Sequence, residues 1–441
     1  MTVGFYTLGC KVNQYETQAL SRLLENQGIM TVALSERPDV IVLNSCTVTA
    51  ESDRKDRQML RRLRREHPSA VLILTGCMPQ AFPDRAAGLM EADIVTGNAG
   101  NDRLPALLER YWSTGERVVE IPSHAKEISP LSPQGFGERT RAYIKIEDGC
   151  NRFCSYCIIP ISRGRVRSKP VQAIEEEARG LAERGFLEVV LVGINLSAYG
   201  GEGYDLADAV AATARADGLR RVRLGSLEPD QLTPRLIERL SESEKLCPQF
   251  HLSLQSGCDS TLHRMNRHYD TAFYRSLCRT LRERFGGEDG CAITTDIMVG
   301  FPGETREEFE ASLAFVEEIG FAKSHVFAYS KREGTPAARA VDQVPNAEKQ
   351  RRSRAMIEAA DRGARRFLDA QVGRTAEVLL EARGADGRSH GYTANYTPVR
   401  ISGEYASPGR VLPVRITGVE GDECVGIPEE SCKVPCSDLI W

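Results

Sequence analysis

The 441-residue sequence contains no run of 18 apolar residues, so no transmembrane helix is expected. It also lacks a basic N-terminal segment followed by an apolar one, which would mark a secretory signal, and it lacks low-complexity segments. The net charge is only −4, so any contact with nucleic acid must come from local basic patches. These absences predict a cytoplasmic globular protein with no membrane partner, in which disulfide bonds are rare.

Cysteine, in contrast, is abundant, with 13 residues in the chain. In a reducing compartment this number indicates metal binding or catalysis for at least some of them. Small buried cysteines also serve as ordinary core residues, and five are interpreted in that way: Cys247, Cys258, Cys278, Cys291 and Cys424. Cys432 and Cys436 form a C-x3-C pair near the C-terminus, which is weak support for a metal.

Three predicted strands in the first eighty residues each end on a cysteine, namely Cys10, Cys46 and Cys77, the strand-tip cysteines. Helical periodicity over 13–27 and 49–66 separates these strands. Their short, continuous apolar runs are typical of parallel strands buried on both faces. Residues 1–115 are therefore predicted to form a doubly wound parallel α/β domain, followed by a linker over 116–139 that is rich in Pro and Gly.

A second alternating series begins at Arg141. Six strands are predicted in it, over 142–149, 188–195, 221–227, 249–257, 292–301 and 324–330. Six β/α units predict a partial (β/α)6 barrel over 140–367, with function at the C-terminal ends of the strands. Residues 368–438 change to short alternating strands with Gly and Pro turns, which predicts a small all-β barrel.

The segment EDGCNRFCSYC carries three closely spaced cysteines, Cys150, Cys154 and Cys157, the loop cysteines. Three thiolates in one loop can hold three irons of a cubic iron–sulfur cluster and leave the fourth open for a small molecule. The alternative is a structural zinc site, but zinc wants four protein ligands and neither His124 nor His251 is near in sequence. The spacing therefore favours an iron–sulfur cluster.

The strand-tip cysteines are separated by 35 and 30 residues, and each interval fits one strand–helix–strand return. Ligands of open α/β sheets bind outside the carboxyl ends of the strands, so the three thiols are expected to converge there. Three unrelated structural cysteines are the alternative. Convergence predicts a second iron–sulfur cluster, also with an open iron.

The C-x3-C-x2-C loop after the first barrel strand resembles that of the radical S-adenosylmethionine (SAM) superfamily. The resemblance implies a [4Fe–4S] cluster that binds SAM and cleaves it to a 5′-deoxyadenosyl radical. It further implies cofactor contacts from side chains and glycines at the barrel strand ends: Tyr156, Gly193, Asn195, Gln255, Gly300, Pro302 and Gly303.

Together the three predicted domains resemble the methylthiotransferase family, with an N-terminal cluster domain, a radical SAM barrel and a C-terminal TRAM domain that binds RNA. The opening TLGCKVNQYET resembles the branch that modifies N6-threonylcarbamoyladenosine at tRNA position 37. The branch acting on isopentenyladenosine usually shows a GCQMN-type motif, and the branch acting on ribosomal protein S12 shows GCPKN. An RNA-binding iron–sulfur sensor that uses SAM only as an effector is the non-enzymatic alternative.

The resemblance implies replacement of the C2–H of adenine by C–S–CH3. The loop cysteines would hold the cluster that makes the radical, and the strand-tip cysteines a second [4Fe–4S] cluster that supplies sulfur. A further SAM would give the methyl group, and an electron donor such as flavodoxin or ferredoxin would be required. Asn13 has two open interpretations, a hydrogen bond to a cluster sulfide or a cap on the next helix.

RNA binding requires cations and stacking surfaces. The segment 52–66 carries seven Lys/Arg, although such a run is also typical of a solvated helix face. The candidates beside the loop cysteines are Arg163, Arg165, Arg167 and Lys169. Those in the C-terminal barrel are Arg388, His390, Tyr392, Tyr396 and Arg400. These residues are predicted to contact the tRNA anticodon stem-loop.

Overall fold

The computed structural model describes residues 1–133, 135, 140–384, 388–401 and 408–429. Three units follow one another along the chain: a parallel α/β domain, a six-stranded partial barrel and a closed β-barrel. The fold class expected from the sequence is confirmed. No helix within the described ranges is long and apolar enough to cross a membrane.

The N-terminal domain is built on one six-stranded parallel sheet with the order β2-β1-β3-β4-β5-β6. Its strands are β1 Thr2–Thr7, β2 Met30–Thr31, β3 Val40–Ser45, β4 Val71–Gly76, β5 Ile94–Val95 and β6 Val118–Val119. Its helices are α1 Lys11–Glu25, α2 Ala50–Glu66, α3 Cys77–Ala81, α4 Pro83–Ala87 and α5 Leu104–Thr114. Val40 and Val42 of β3 pack in one core, and Ile41 and Leu43 in another. Helices therefore cover both faces of the sheet, as a doubly wound domain requires.

The central unit contains the six parallel strands that the sequence predicts, one of them divided into two, and two short antiparallel strand pairs. The strands are β7 Arg141–Lys145, β8 Glu147–Asp148, β9 Arg167–Ser168, β10 Glu188–Val192, β11 Gly200–Gly201, β12 Tyr204–Asp205, β13 Arg221–Leu224, β14 Ser226–Leu227, β15 Gln249–Leu252, β16 Ala292–Val299 and β17 Lys323–Ala328. The helices are α6 Ile159–Arg163, α7 Val171–Glu183, α8 Leu206–Ala214, α9 Pro234–Ser241, α10 Asp259–Arg264, α11 Thr271–Arg284, α12 Arg306–Ile319 and α13 Asn346–Asp369.

The barrel strands run in the order β7-β10-β13, which continues past Gly225 into β14-β15-β16-β17. Within the described residues no ladder joins β7 to β17, so the barrel stays open between these strands. Helix α1 of the N-terminal domain lies beside β7, where Glu16 Oε1 is 2.8 Å from Lys145 Nζ. The N-terminal domain thus packs against the open side of the barrel.

The C-terminal unit is a closed barrel with the strand order β18-β19-β20-β22-β21. Its strands are β18 Thr375–Arg383, β19 Ser389–Thr393, β20 Pro398–Ile401, β21 Val411–Glu420 and β22 Glu423–Pro428. Because the barrel is closed, no strand edge of its described sheet is left unpaired. Val378, Val399 and Val414 belong to the buried core inside it. The predicted boundary at 438, and Cys432 with Cys436, lie outside the described residues.

The first sheet extends slightly past the predicted domain end at residue 115. β6 pairs with β5 in parallel, Ile94 opposite Val118, so the first residues of the predicted linker complete the sheet. A two-residue edge strand carries too little periodicity to be recognised in the sequence.

Candidate active site

The strand-tip cysteines lie at one edge of the N-terminal sheet. Cys10 follows β1 and directly precedes α1, Cys46 follows β3, and Cys77 begins α3 directly after β4. Since β1, β3 and β4 are adjacent parallel strands, their carboxyl ends meet at the same edge. The topology therefore brings together three cysteines that are distant in sequence.

Asn13 connects these strand ends. Its side-chain Nδ2 donates hydrogen bonds of 2.9 Å to the carbonyls of Leu8 and Ser45. Its Oδ1 lies 3.6 Å from Cys10 Sγ and 3.9 Å from Cys77 Sγ. Of the two interpretations of Asn13, helix capping is not found, because the N-cap of α1 is Cys10 and has no side-chain cap hydrogen bond.

The strand-tip thiols are set in a buried environment that disfavours an isolated thiolate. Burial raises the pKa of Cys77 to about 12, although the positive charge of Arg163 opposes this rise. Burial also raises the pKa of Cys46. These thiols would therefore lose their protons on binding iron, whose positive charge replaces them.

The loop cysteines lie between β8 and α6. The backbone N–H of Cys157 donates to the carbonyl of Cys154 at 3.0 Å, which folds the loop tightly. Arg267 Nη1 lies 3.3 Å from Cys154 Sγ. Burial raises the pKa of Cys150 to about 11 and that of Cys157 to about 12, and the adjacent Cys154 thiol adds to both shifts. The three thiols are thus close neighbours.

The described residues contain no ready-made site for a single metal ion at either cysteine set. No three His, Cys, Asp or Glu side chains among them lie close enough to hold one ion. The assignment of an iron–sulfur cluster to each set therefore stays a prediction.

The predicted SAM contacts lie at the barrel strand ends beside the loop cysteines. Asn195 Oδ1 and Gln255 Oε1 are buried and have no hydrogen-bond partner among the described residues. Gly193 leaves no room for a side chain, since a Cβ would lie 2.7 Å from Glu147 Oε2. Two unsatisfied buried acceptors fit a polar ligand with donor groups such as the SAM ammonium.

The remaining predicted SAM contacts also have packing roles within the protein. A Cβ at Gly300 would lie 2.4 Å from Lys349 Cγ, and one at Gly303 the same distance from Asp342 Oδ2. Pro302 lies between these glycines. Tyr156 packs edge-to-face with Phe301, with ring centroids 6.4 Å apart. Contact of these residues with a nucleoside stays a prediction.

The two cysteine sets approach each other across the domain boundary. Asn98 Nδ2 donates to the carbonyl of Ser162 at 2.9 Å and lies 3.7 Å from Cys77 Sγ. Ser162 is five residues beyond Cys157. One asparagine side chain therefore connects Cys77 to α6, the helix that follows the loop cysteines, which sequence spacing could not reveal.

Two of the cations predicted to bind RNA are buried instead. Arg163 has no exposed surface and contacts both Glu16 and Asn13, the latter at 2.7 Å. Lys169 is also buried and lies 2.6 Å from Glu177 Oε2. Their burial contradicts the predicted contact with RNA. The N-terminal domain covers this part of the loop and contributes Glu16 and Asn13 to Arg163 and Tyr15 to Lys169, whereas Glu177 belongs to α7 of the barrel itself.

Other basic candidates differ in accessibility. Arg165 is exposed and lies over the exposed Phe153 ring, 4.7 Å from its centroid. Arg167 is largely covered and lies 3.2 Å from Asp148 Oδ2. Most of the Lys/Arg side chains of the 52–66 segment are exposed on α2. Arg165 with Phe153 combines a cation and a stacking surface beside the loop cysteines.

Two of the RNA-binding candidates in the C-terminal barrel lie where this barrel contacts the central partial barrel. The rings of Tyr392 and Tyr396 stack 4.5 Å apart, and Arg141 lies 5.0 Å from both. Arg223 donates to the carbonyl of Ala394 at 2.9 Å. These tyrosines therefore help to hold two domains together, and their contact with RNA stays a prediction.

The remaining candidates of this barrel are found on β19 and β20 or just before them. Arg400 is engaged by Glu420 and by Glu423, the latter at 3.3 Å. His390 also lies 3.1 Å from Glu423 Oε2. Arg388 is exposed. Of these three, Arg388 offers the most accessible side chain.

A cavity of about 1090 Å³ occupies the lumen of the partial barrel. Inward-facing strand residues, the second half of α13 and loops of the C-terminal barrel form its walls. Its lining includes Arg223, His251, Asp296 and His325. Lys11, the residue after Cys10, is the contribution of the N-terminal domain to this lining.

Three family profiles match the chain in the order of its domains. The first, described as "Uncharacterized protein family UPF0004", matches residues 2–97. The profile of the radical SAM superfamily matches residues 144–316, and that of the TRAM domain matches residues 369–421.

Solved structures support the same architecture. The radical SAM methyltransferase TsrM from Kitasatospora setae aligns with a TM-score of 0.58 at 14% identity, covering 76% of this chain and 77% of TsrM. The cobalamin-dependent SAM radical enzyme OxsB aligns with a TM-score of 0.52 at 11% identity, covering 81% and 56% of the respective chains. At these identities the likeness is one of fold. Fold and profile together define this protein as a radical SAM enzyme, a class that uses SAM and a [4Fe–4S] cluster.

Curated relatives narrow the class. The threonylcarbamoyladenosine tRNA methylthiotransferase MtaB of Bacillus subtilis is 36% identical over 424 residues, covering 94% of this chain and 93% of MtaB. The tRNA-2-methylthio-N(6)-dimethylallyladenosine synthase of Pelotomaculum thermopropionicum is 36% identical over 432 residues, covering 95% and 96%. MtaB of Aquifex aeolicus is 33% identical over 94% of this chain. The chain belongs to the methylthiotransferase family of radical SAM enzymes, of the MtaB type.

Proposed function

We propose that this protein is a tRNA methylthiotransferase that converts N6-threonylcarbamoyladenosine at position 37 to its 2-methylthio derivative. The observation that carries the proposal is the approach of two separate cysteine sets, with Asn98 between Cys77 Sγ and the Ser162 carbonyl. An enzyme that generates the radical needs one iron–sulfur site with an open iron. An enzyme that also inserts sulfur needs a source of sulfur close to the same substrate atom.

The proposed cofactors are two [4Fe–4S] clusters and SAM. When bound, the cluster on the loop cysteines supplies the electron that cleaves SAM, and the cluster on the strand-tip cysteines supplies sulfur. Asn195 and Gln255 would accept hydrogen bonds from the SAM amino-acid moiety through their unsatisfied oxygens. Asn13 would keep Cys10 and Cys77 in place through its contacts with both strand ends.

The proposed reaction replaces an aromatic C–H that no general base can ionise. The adenine C2 hydrogen would become the third methyl hydrogen of 5′-deoxyadenosine. The C2 radical left behind would bond to a sulfide of the second cluster as that sulfide leaves its iron, and the surplus electron would stay on the cluster. A second SAM would give its methyl group to that sulfur. The one electron that cleaves the first SAM would come from a flavodoxin or ferredoxin, which fits a cytoplasmic enzyme.

The anticodon stem-loop would approach the side where the two cysteine sets meet. Arg165 lies over Phe153 there, and both side chains are exposed. A cation over an aromatic ring suits a nucleotide, since the phosphate and the base can each find a partner. Arg388 of the C-terminal barrel is a second candidate for a phosphate contact.

The substrate assignment depends on the opening motif TLGCKVNQYET and on the MtaB relatives. Isopentenyladenosine is the second candidate, because a dimethylallyladenosine synthase is equally similar at 36% identity. The deciding measurement is nucleoside mass spectrometry of tRNA from a deletion strain. Loss of 2-methylthio-threonylcarbamoyladenosine alone is expected. Loss of the 2-methylthio-dimethylallyl product instead would make isopentenyladenosine the substrate.

The role of the strand-tip cysteines is tested by Cys46→Ala in the reconstituted enzyme. We expect 5′-deoxyadenosine formation to persist and methylthiolated product to fall below detection. Cys154→Ala is the matched variant and should abolish both. Product formed by Cys46→Ala at the wild-type rate would contradict the two-cluster proposal, whereas absence of 5′-deoxyadenosine from the wild type would favour an RNA-binding sensor.

A further inference from the structure

The lumen cavity contains a cation that the cluster chemistry does not use. Lys11 is the first residue of α1, directly after Cys10, and its side chain lines the cavity. Lys11 is exposed, and its side chain forms part of the cavity wall. Among the described residues it has no ion pair and no side-chain hydrogen bond. It therefore stands as an unpaired cation next to one of the proposed cluster ligands.

The charges around Lys11 leave it without a counterion. Arg141 and Arg223 are the cations, and Glu188 the carboxylate, whose charges act on Lys11. Arg223 Nε lies 2.7 Å from Glu188 Oε1, and Arg141 Nη2 lies 2.5 Å from Glu381 Oε1, so both carboxylates are already engaged by guanidinium groups. The wall near Lys11 thus carries excess positive charge, a setting that favours an anionic ligand.

The carboxylates that line the cavity do not offset this excess beside Lys11. Asp296 lies 3.3 Å from His251 on the barrel wall. Glu423 is engaged by His390 and Arg400. Asp361 and Asp422 belong to α13 and to the turn between β21 and β22, the wall formed by the C-terminal half of the molecule.

We propose that Lys11 binds the carboxylate of the threonylcarbamoyl group and thereby selects the substrate. This inference rests on the proposed function, since that N6 substituent carries one carboxylate whereas a dimethylallyl group carries none. In adenine, C2 and the N6-bearing carbon both flank N1. A base whose C2 faces the strand-tip cysteines therefore presents its N6 substituent close to the residue beside Cys10.

The position of Lys11 in the opening motif is consistent with a selective role. Here the first cysteine is followed by lysine, whereas the two other motifs described above have glutamine or proline at that point. A lysine ammonium can donate a hydrogen bond to a carboxylate and also neutralise its charge, which glutamine and proline cannot do. The residue type that differs between the motifs is therefore at Lys11, which among the described residues is the N-terminal domain's part of the cavity wall.

The test compares Lys11→Met, Lys11→Arg and a matched control, Lys126→Met, which removes an exposed lysine from the linker. Each full-length reconstituted enzyme receives two RNA stem-loops, one with threonylcarbamoyladenosine and one with its uncharged threonine methyl ester. The readouts are kcat and KM for methylthiolation, 5′-deoxyadenosine formation and iron content.

For Lys11→Met, kcat/KM on the carboxylate substrate should fall about 10- to 100-fold, mainly through KM, as expected for loss of a charged hydrogen bond. On the methyl ester, wild type and Lys11→Met should be within about twofold of each other. Lys11→Arg should recover most of the loss, and Lys126→Met should match the wild type.

Three results would overturn the proposal. Unchanged kcat/KM of Lys11→Met on the carboxylate substrate would show that the lysine is not used. Equal losses on both substrates, or loss of iron in Lys11→Met and Lys11→Arg alike, would assign it a structural role beside Cys10. A wild-type enzyme inactive on threonylcarbamoyladenosine but active on isopentenyladenosine would instead refute the proposed substrate, and the present proposal with it.

Discussion

Arg163 is a fully buried cation whose partners come from two domains. Glu16 of α1 and Asp148 of the barrel both lie within ion-pair distance of its guanidinium. Lys145 shares the same two carboxylates, at 2.8 Å and 3.0 Å. Arg167 also lies 3.2 Å from Asp148 Oδ2, so three cations surround two buried carboxylates. The sequence places Arg163 in a basic stretch, but its function is to join the domains behind the cysteine sites.

Removing the Arg163 charge should destabilise the protein. Arg163→Met removes one of the three cations around Glu16 and Asp148 and breaks its buried pair with Glu16, and breaking a buried pair typically costs about 3–5 kcal/mol. Arg165→Met is the matched control, because Arg165 is exposed two residues away in the same loop. Urea unfolding should show the loss for Arg163→Met alone. A difference below about 1 kcal/mol between the two variants would contradict this assignment.

Glu147 introduces a pH dependence into stability. Its carboxylate Oε2 accepts backbone hydrogen bonds from Ile194 and Asn195, yet burial raises its pKa from 4.5 to about 8. The folded state therefore keeps a proton that the unfolded chain has released by neutral pH. As pH rises from about 5 to 8, this group lowers the unfolding free energy by up to about 1.4 kcal/mol per pH unit.

Glu147→Gln should abolish this dependence because the amide does not ionise and its oxygen still accepts a hydrogen bond. The stability difference between variant and wild type should then grow with pH over the same window, measured by urea unfolding. Glu244→Gln, at an exposed position, is the control and should parallel the wild type. If the Glu147→Gln and wild-type curves run parallel, the carboxyl is not protonated in the fold.

At the scale of single elements, the turn from β4 into α3 decides where Cys77 lies. Gly76 has φ +99°, in the region that favours glycine, and a Cβ there would lie 2.5 Å from both the N and the O of Ser45. The chain therefore passes directly against the end of β3 before it starts α3. This close approach brings the tips of two neighbouring strands together.

Gly76→Ala should displace this turn, with a cost of about 1–3 kcal/mol for the strained backbone. It should also reduce iron bound by the strand-tip cysteines while the loop cysteines retain theirs. Gly88→Ala is the control, because its added Cβ would meet only ordinary contacts of 3.5 Å or more. Wild-type iron content and stability in Gly76→Ala would show that the turn tolerates a side chain.

Elements with strong periodicity were predictable. All six barrel strands and the helices α1 and α2 lie within or close to the ranges that their apolar patterns predicted. The short helix α3 and the two-residue strand β6 were not predicted, since neither completes a period of its pattern. Their positions depend on neighbouring strands.

At the scale of the whole molecule, the relative position of the first two domains decides whether the cysteine sets can cooperate. Arg332, after β17, donates to Thr47 Oγ1 at 2.7 Å and to Asp53 Oδ2 at 2.9 Å in the N-terminal domain. Arg332 and Asp53 are both almost completely buried. This contact lies directly beyond Cys46 and fixes one side of the interface.

Arg332→Ala should separate the two half-reactions. The barrel keeps its own core, so 5′-deoxyadenosine formation should persist, while methylthiolated product should fall by about tenfold or more because misplacement of reactive groups is costly. Lys331→Ala, at the exposed neighbouring residue, is the control. If both products fell equally, Arg332 would be required for the stability of the barrel and not for the alignment of the two domains.

The sequence by itself determined the order of the three domains and the iron–sulfur interpretation of the loop cysteines, because strand periodicity and the C-x3-C-x2-C spacing are local patterns. The radical SAM chemistry was what the resemblance of these motifs implied. Tertiary structure alone decided that Arg163 and Lys169 are buried, that Asn98 connects Cys77 to α6, and that Lys11 faces the barrel lumen. These contacts join residues up to about 150 positions apart. They follow from the packing of one domain on another, which determines whether a charged side chain meets water, a counterion or a substrate.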